Sequence, residues 1–152
     1  MTRPLLILIA AGGSFALLAG AFVFQAIGYA PCEMCLWQRW PHAAAILIGA
    51  IVILGGFTGR VWAYLGALAA AATGILGIYH TGVERDWWEG PTSCTGGGDL
   101  GTGADLLSMD GPALVMCDQV AIWIFGLSMA SWNAIFSVGF VVIWIMAARR
   151  KA

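Results

Sequence analysis

The sequence predicts an all-α membrane protein, built as a bundle of four transmembrane helices. Of its 152 residues, 61% are hydrophobic and 10% are charged, whereas a soluble domain has about 45–50% apolar and about 25% charged residues. Four apolar runs approach or exceed the roughly 20 residues needed to cross a bilayer. These runs are continuous rather than alternating, which favours helices over a β-barrel.

The same composition excludes several classes of protein. Counting glycine, about three quarters of the residues are apolar, so too little polar sequence remains to cover a soluble enzyme, and a disordered chain is excluded as well. The net charge of −1 provides no basic field for nucleic acid. The environment that remains is the lipid bilayer.

The predicted spans lie at about residues 4–28, 41–57, 61–80 and 130–148, and they form a single domain, 1–152. The first run could instead be a cleaved signal peptide, but it is longer than the roughly 7–15 residues of an h-region. Only Thr58, Gly59 and Arg60 separate the second run from the third, so we expect these two helices to form an antiparallel hairpin.

The stretch before the fourth span is too long to belong to one perpendicular helix. Residues 117–148 would extend roughly 48 Å as a helix. We therefore expect residues 120–127 to form an interfacial helix, with a break near Gly126 or Ser128. Trp123 and Trp132 suit that depth, because tryptophan is enriched at the membrane interface.

Basic residues predict the orientation of the bundle. With four spans, both termini and the short turn share one side, and the loops of about 29–40 and 81–129 share the other. The first side holds five of the seven basic residues and no acid, while the loop side holds two basic residues and all eight acids. The positive-inside rule then predicts cytoplasmic termini and places both loops on the outer side of the membrane. The five basic residues of the first side are Arg3, Arg60, Arg149, Arg150 and Lys151.

All four cysteines fall in the two predicted outer loops. Cys32 and Cys35 lie in the first loop, and Cys94 and Cys117 lie in the second. Disulfides persist in the periplasm, and four cysteines allow three pairings. The spacing favours Cys32–Cys35 with Cys94–Cys117, although the resting pairing stays open.

The Cys-Glu-Met-Cys motif admits three interpretations: a redox pair, an inert disulfide, or half of a zinc site completed by the other cysteines or by His42 and His80. We favour the redox pair and predict no metal. Pro31 indicates a helix start, where the positive helix end lowers a thiol pKa. Glu33 opposes this effect, and the balance stays open at this stage.

Two residues near the CxxC are candidates for binding a redox ligand. Arg39 follows Cys35 by one helical turn, so it can place a cation beside a thiolate or donate to a ligand carbonyl. A snorkelling interfacial arginine is the alternative. His80 ends the third span at the same predicted depth as Cys35 and Arg39, although a histidine there can also be a plain interface residue.

The second cysteine pair brackets a tract rich in Gly, Thr and Asp, from Thr95 to Asp105. Such a tract is flexible and exposed. Cys94–Cys117 could be a structural staple, but an accessible loop is better suited to presenting a disulfide to the thiol of a partner. We therefore favour the exchange-competent interpretation.

Two dithiol pairs on one face suggest an electron relay by thiol–disulfide exchange. The relay needs a terminal acceptor, and the sequence has neither a nucleotide-binding glycine motif after a strand nor a CxxCH haem site. A lipid-soluble quinone is the acceptor available at the depth of the CxxC.

The motifs resemble those of a known family. Residues 31–39, Pro-Cys-Glu-Met-Cys-Leu-Trp-Gln-Arg, are similar to the PCxxCxxQR signature of the DsbB family of bacterial membrane disulfide-forming oxidases. Residues 117–132 are similar to the stretch in that family from a cysteine to GLxMxxW, and Tyr79-His80-Thr81 resembles the end of its third span. The resemblance covers essentially the whole chain.

The resemblance implies a quinone-dependent thiol oxidase. Such a protein reoxidises a periplasmic DsbA-like thioredoxin-fold oxidase and passes the electrons to ubiquinone or menaquinone. It implies that the partner attacks Cys94, that Cys117 is the second sulfur of that pair, and that Cys32 reoxidises them. Cys35 would then face the quinone, with Arg39 and His80 binding it.

Two alternatives remain open from the sequence. One is a dedicated variant of the family that serves another partner. The other is a non-enzymatic membrane protein with two structural disulfides or a metal site. Glu33 within the CxxC and the glycine-rich second loop depart from the pattern of the family, and these departures bear on redox potential and choice of partner.

Overall fold

Four long helices form the protein, in a computed structural model that describes residues 1–57, 59–95 and 115–150. They are α1 (Arg3–Ala26), α2 (Glu33–Gly55), α3 (Arg60–Glu84) and α4 (Met129–Arg149). Each helix is long and apolar enough to span a membrane, which confirms the predicted all-α membrane fold. Thr58, Lys151 and the predicted glycine-rich tract beyond Thr95 lie outside the described residues.

The helices are arranged as a four-membered ring. Helix α1 packs against α2 and α4, and α3 packs against the same two helices, as in an up-and-down bundle. Arg3 joins the two ends of the chain: its Nε donates to the Ala147 carbonyl over 3.1 Å, and its Nη2 donates to the Arg150 carbonyl. These bonds give carbonyls at the end of α4 a side-chain donor, and the Ala147 carbonyl also accepts the Arg150 backbone N–H over 3.3 Å. The start of α1 and the end of α4 therefore lie together.

Small residues bring α3 and α4 into close contact. A Cβ on Gly66 would lie 2.6 Å from the ring of Trp144, and a Cβ on Gly77 would lie 3.0 Å from the backbone nitrogen of Ala134. Membrane helices use small residues in this way, because packing rather than the hydrophobic effect holds them together in lipid. This contact brings residues of α3 and α4 together near the cysteines.

Helices α2 and α3 extend further towards the cysteine loops than the predicted spans. Helix α2 begins at Glu33 with Cys32 as its N-cap, and α3 continues past His80 to Glu84. Hydropathy marks only the apolar part of a helix, whereas backbone hydrogen bonding continues into the interface. At the other end, Gly56 caps α2 with a φ of 67°, a left-handed conformation that favours glycine. The predicted α2–α3 hairpin is confirmed.

The interfacial helix predicted for residues 120–127 is wrong. This segment contains a small antiparallel hairpin of β1 (Trp123–Ile124) and β2 (Leu127–Ser128). Phe125 and Gly126 form the turn with φ values of 50° and 78°, and two successive positive φ values are typical of a type I′ hairpin turn. The predicted break at Ser128 is confirmed, because this residue caps α4 and its hydroxyl accepts from the Ser131 N–H over 3.1 Å.

Candidate functional site

The four cysteines lie together at one end of the bundle. Cys94 and Cys117 form a disulfide, whereas Cys32 and Cys35 are free thiols with their sulfurs 2.7 Å apart. Cys32, Cys94 and Cys117 are each at most 4% exposed and belong to one packed cluster, and Cys35 contacts that cluster. Two pairs separated by about 60 residues of sequence thus become neighbours, which is the geometry that thiol–disulfide exchange requires.

The surroundings of Cys32 favour its protonated thiol. Its sulfur accepts the Cys35 backbone N–H over 3.2 Å, but its hydrogen bond to the Cys35 sulfur and its burial raise the pKa of Cys32 well above the usual value. Negative charge on Glu84 acts in the same direction. The expectation that the helix start lowers the thiol pKa therefore fails for Cys32. The carboxylate acting on this thiol is Glu84 on α3, which the sequence analysis did not single out.

His80 lies between the CxxC and the interior of the bundle. Its Nε2 is 3.6 Å from the Cys32 sulfur, and its Nδ1 is 2.9 Å from Nε2 of Gln38. The Oε1 of Glu84 lies 3.9 Å from Nε2 of His80. Glu84 also accepts a hydrogen bond from the Ser128 hydroxyl. His80 is only 3% exposed, so it is a buried neighbour of the thiols rather than a plain interface residue.

A layer of polar side chains continues from His80 across the bundle. Asn133 on α4 donates through Nδ2 to Gln38 Oε1 over 2.6 Å and to Thr73 Oγ1 over 3.1 Å. Its Oδ1 is 2.7 Å from Nε2 of His42. The Thr73 hydroxyl in turn donates to the backbone carbonyl of Gln38 over 3.2 Å. Helices α2, α3 and α4 are thereby joined by hydrogen bonds at the depth of the CxxC.

A cavity of about 430 Å³ lies beside the thiols, within the usual size range of small-molecule sites. Apolar side chains of α1, α4 and the β1–β2 hairpin form most of its wall. The side chains in the wall that bear polar atoms or sulfur are Tyr29, Cys35, Gln38, Arg39, His42, His80, Met129, Trp132 and Asn133.

Arg39 is oriented by α1. Its Nη1 donates to Gln25 Oε1 over 2.7 Å, and its guanidinium lies 4.6 Å from the centre of the Phe22 ring, a cation–π contact. Its Nε is buried and has no hydrogen-bond partner among the residues that the structure describes. A buried donor without a partner costs free energy, so Arg39 is suited to binding an acceptor group in the cavity.

The predicted site residues therefore fall into two adjoining sets. Cys35, Arg39 and His80 line the cavity, and Cys32 packs against the Cys94–Cys117 disulfide next to it. Sequence reasoning missed Gln38, His42 and Asn133 as members of the site. One signal was available: Thr73 and Asn133 are polar residues within predicted spans, where such side chains usually face the protein interior and have a function.

The thiols and His80 could also be considered as metal ligands, since Sγ of Cys32, Sγ of Cys35 and a ring nitrogen of His80 lie within 4.8 Å of one another. Two thiolates on tetrahedral zinc, each about 2.3 Å from the ion, lie about 3.8 Å apart. The 2.7 Å separation of these sulfurs is shorter, so the arrangement fits disulfide formation better than metal binding.

Comparisons with known proteins agree with this geometry. The family model described as "Disulfide bond formation protein DsbB" matches residues 3–147. Disulfide bond formation protein B of Azoarcus sp. (strain BH72) is 26% identical, over 97% of this chain and 94% of its own length. The Uncharacterized protein RP370 of Rickettsia prowazekii (strain Madrid E) is 23% identical, over 72% of this chain and 66% of its own length.

No solved structure matches the chain. The family match covers both cysteine pairs, the first three helices and all but the last two residues of α4. A multi-pass membrane bundle with two adjacent cysteine pairs suits an oxidoreductase of disulfide formation, and the chain belongs to the DsbB family of disulfide bond formation proteins.

Proposed function

We propose that the protein is a quinone-dependent thiol oxidase that reoxidises a periplasmic DsbA-like dithiol oxidase. The observation that carries the proposal is the contact between the two cysteine pairs beside a largely apolar cavity. One pair would exchange with the partner, and the other would pass electrons to an acceptor in the cavity.

The first transfer uses the second-loop disulfide. A thiolate of the partner attacks Cys94, the Cys94–Cys117 bond breaks, and Cys117 takes the electron pair. The second thiol of the partner then attacks the mixed disulfide, so the partner leaves oxidised and Cys94 and Cys117 are both reduced. Two electrons have entered the protein at this stage.

The second transfer occurs within the protein. Cys117 attacks Cys32 of an oxidised Cys32–Cys35 pair, and Cys35 takes the electron pair. Cys94 then attacks Cys117, which restores the second-loop disulfide and releases Cys32. The result is a closed Cys94–Cys117 bond with free thiols at Cys32 and Cys35, which is the combination of bonds described above.

The cavity fits a quinone by its size, its apolar wall and its donors. Arg39 would bind a ring carbonyl through its unpartnered Nε, and His80 and Cys35 would lie at the same wall. A quinone bound there would accept two electrons and two protons as Cys32 and Cys35 form their disulfide. Such an acceptor is needed because a DsbA-like partner is a strong oxidant with a reduction potential of about −120 mV. An ordinary structural disulfide cannot oxidise it.

The orientation forms part of the proposal. We place the cysteine cluster on the periplasmic side of the inner membrane and both termini in the cytoplasm. Support comes from the basic residues near the termini and from the contact of Arg3 with the end of α4, which puts both termini at one end of the bundle. A cysteine cluster on the periplasmic side would face the compartment of the soluble partner, and the buried Cys94–Cys117 disulfide would have to become exposed for the first transfer.

The test is a coupled oxidation assay with purified full-length protein. The purified protein is added in catalytic amount to a reduced DsbA-like oxidase and a soluble ubiquinone or menaquinone analogue. The absorbance of the quinone is then followed. We expect catalytic loss of quinone with wild type and only background loss with Cys35→Ser. Equal, slow rates for both proteins would contradict the proposal and favour a membrane protein with structural disulfides.

A further inference from the structure

The polar layer next to the thiols has a definite direction of hydrogen bonding, which follows from one backbone carbonyl. The side-chain Nε2 of Gln38 lies 3.1 Å from the Met34 carbonyl oxygen. A carbonyl only accepts hydrogen bonds, so the amide of Gln38 must present its NH₂ group to Met34. The orientation of this amide is therefore decided by the chemistry of its partner.

The orientation of Gln38 determines the tautomer of His80. The same NH₂ group lies 2.9 Å from His80 Nδ1, so Nδ1 must accept and cannot carry a proton. In a neutral imidazole the proton then lies on Nε2. A doubly protonated ring would place an N–H against the NH₂ of Gln38, two donors face to face.

The proton on His80 Nε2 faces the redox pair. Cys32 Sγ is 3.6 Å from this nitrogen, within the range of a hydrogen bond to sulfur. Glu84 Oε1, at 3.9 Å, is beyond hydrogen-bonding distance. Of these two side chains, only the sulfur of Cys32 lies within hydrogen-bonding distance of this N–H, and the backbone of Cys117 is a further acceptor beside the His80 ring.

Asn133 forms a hydrogen bond with the oxygen of the Gln38 side-chain amide. Since Gln38 Oε1 faces Asn133 over 2.6 Å, Asn133 must donate through Nδ2, and its Oδ1 is left facing His42. The Nε2 of His42, 2.7 Å away, must then be the donor. One carbonyl thus sets a consistent direction through two amides and two imidazoles.

We propose that Gln38 and Asn133 are positioning residues that hold His80 as the Nε2–H tautomer and direct its N–H at the Cys32 sulfur. The consequence for exchange rests on the proposed function. When Cys94 attacks Cys117 and releases Cys32, the electron pair moves onto the Cys32 sulfur. A hydrogen bond from His80 stabilises this leaving sulfur, whereas an Nδ1–H tautomer would present a bare lone pair to it.

The test is a measurement of the histidine tautomers that does not depend on turnover. The chain has only two histidines, so protein labelled with ¹⁵N in the imidazole rings gives two sets of long-range ¹H–¹⁵N signals. Spectra of the full-length, reduced protein in detergent are compared with those of His42→Asn to assign them. We expect both rings to be protonated at Nε2.

Gln38→Glu supplies the perturbation. It replaces the NH₂ donor with a carboxylate oxygen, so the protonated nitrogen of His80 should change from Nε2 to Nδ1 while His42 keeps its Nε2 signal. Gln119→Glu, which makes the same replacement at an exposed position, should change neither ring. The rate of disulfide transfer from Cys32–Cys35 to the reduced second-loop pair should fall about tenfold in Gln38→Glu alone.

A wild-type His80 ring protonated at Nδ1, or at both nitrogens, would overturn the inference, and this measurement requires no variant to fold. An unchanged tautomer in a folded Gln38→Glu protein would also overturn it. An Nε2–H tautomer that changes in this variant supports the positioning role even if no quinone is consumed, so failure of the proposed function remains distinguishable.

Discussion

Nε2 of His80 lies 3.6 Å from the sulfur of Cys32, although 48 residues separate them in the chain. Helix α2 begins at the CxxC and α3 ends one turn beyond His80, so the packing of these two helices brings thiol and imidazole together. The contact makes the reactivity of Cys32 depend on α3 as well as on its own motif.

Cys32 and Cys35 should differ in their reaction with iodoacetamide. In reduced wild-type protein between pH 7 and 9, we expect Cys35 to be alkylated and Cys32 to react at least about tenfold more slowly, the factor that one pKa unit represents. The hydrogen bond to the Cys35 sulfur and burial raise the pKa of Cys32 above its ordinary value of 9.0, which lowers its thiolate fraction in this window, and the thiolate is the reactive form. Burial of Cys32 acts in the same direction.

Peptide mass spectrometry measures the two alkylation rates, and urea-unfolded protein, in which both thiols should react alike, is the control. Preferential alkylation of Cys32 in the folded protein would contradict the raised pKa of this thiol.

Replacement of Arg39 should weaken quinone binding. In Arg39→Lys, the lysine ammonium cannot reproduce the planar guanidinium over Phe22 or its several hydrogen-bond donors. Loss of one charge-assisted hydrogen bond, about 1.5 kcal/mol, corresponds to a rise of about tenfold in KM for the quinone analogue. Steady-state kinetics at saturating reduced partner measure this value. Arg85→Lys is the matched control, because Arg85 is exposed and contacts Trp87 instead; equal effects of the two substitutions would argue against Arg39 as a ligand-binding group.

Removal of the second-loop disulfide should separate the two halves of the relay. A Cys94→Ser/Cys117→Ser double variant retains Cys32, Cys35 and the cavity. We expect it to lose quinone reduction driven by the protein partner but to retain reduction driven by dithiothreitol, a small dithiol able to reach the CxxC. Quinone absorbance with each reductant measures the separation, and undiminished activity with the protein partner would show that the second pair is not its entry point.

The close contact of α3 and α4 should be sensitive to one methyl group. Gly66→Ala places a Cβ 2.6 Å from the buried ring of Trp144, and overpacking of this kind costs about 1–3 kcal/mol. Gly139→Ala is the control, because nothing lies within 4 Å of that position and alanine is the better helix former. Thermal unfolding in detergent should show a lower midpoint for Gly66→Ala only; a midpoint equal to that of Gly139→Ala would contradict the packing.

Much of this protein could be predicted from the sequence because the bilayer imposes simple requirements. A span needs a long apolar run with internally satisfied backbone, so the four helices and the α2–α3 hairpin follow from hydropathy and linker length. The CxxC, the second cysteine pair, Arg39 and His80 were recognisable as local motifs. The hairpin at residues 123–128 was missed because its turn depends on positive φ values at Phe125 and Gly126, and a non-glycine residue rarely adopts such a φ.

What the sequence determined by itself is the set of helices and the kinds of chemistry available. The tertiary structure alone decided which groups meet: Cys32 with the Cys94–Cys117 disulfide, His80 with Cys32, and Asn133 with Gln38 across 95 positions of the chain. The physical reason is that hydropathy and motif spacing describe one helix or one loop at a time. Contacts between helices depend on which faces pack together, and here small residues such as Gly66 and Gly77 decide that packing.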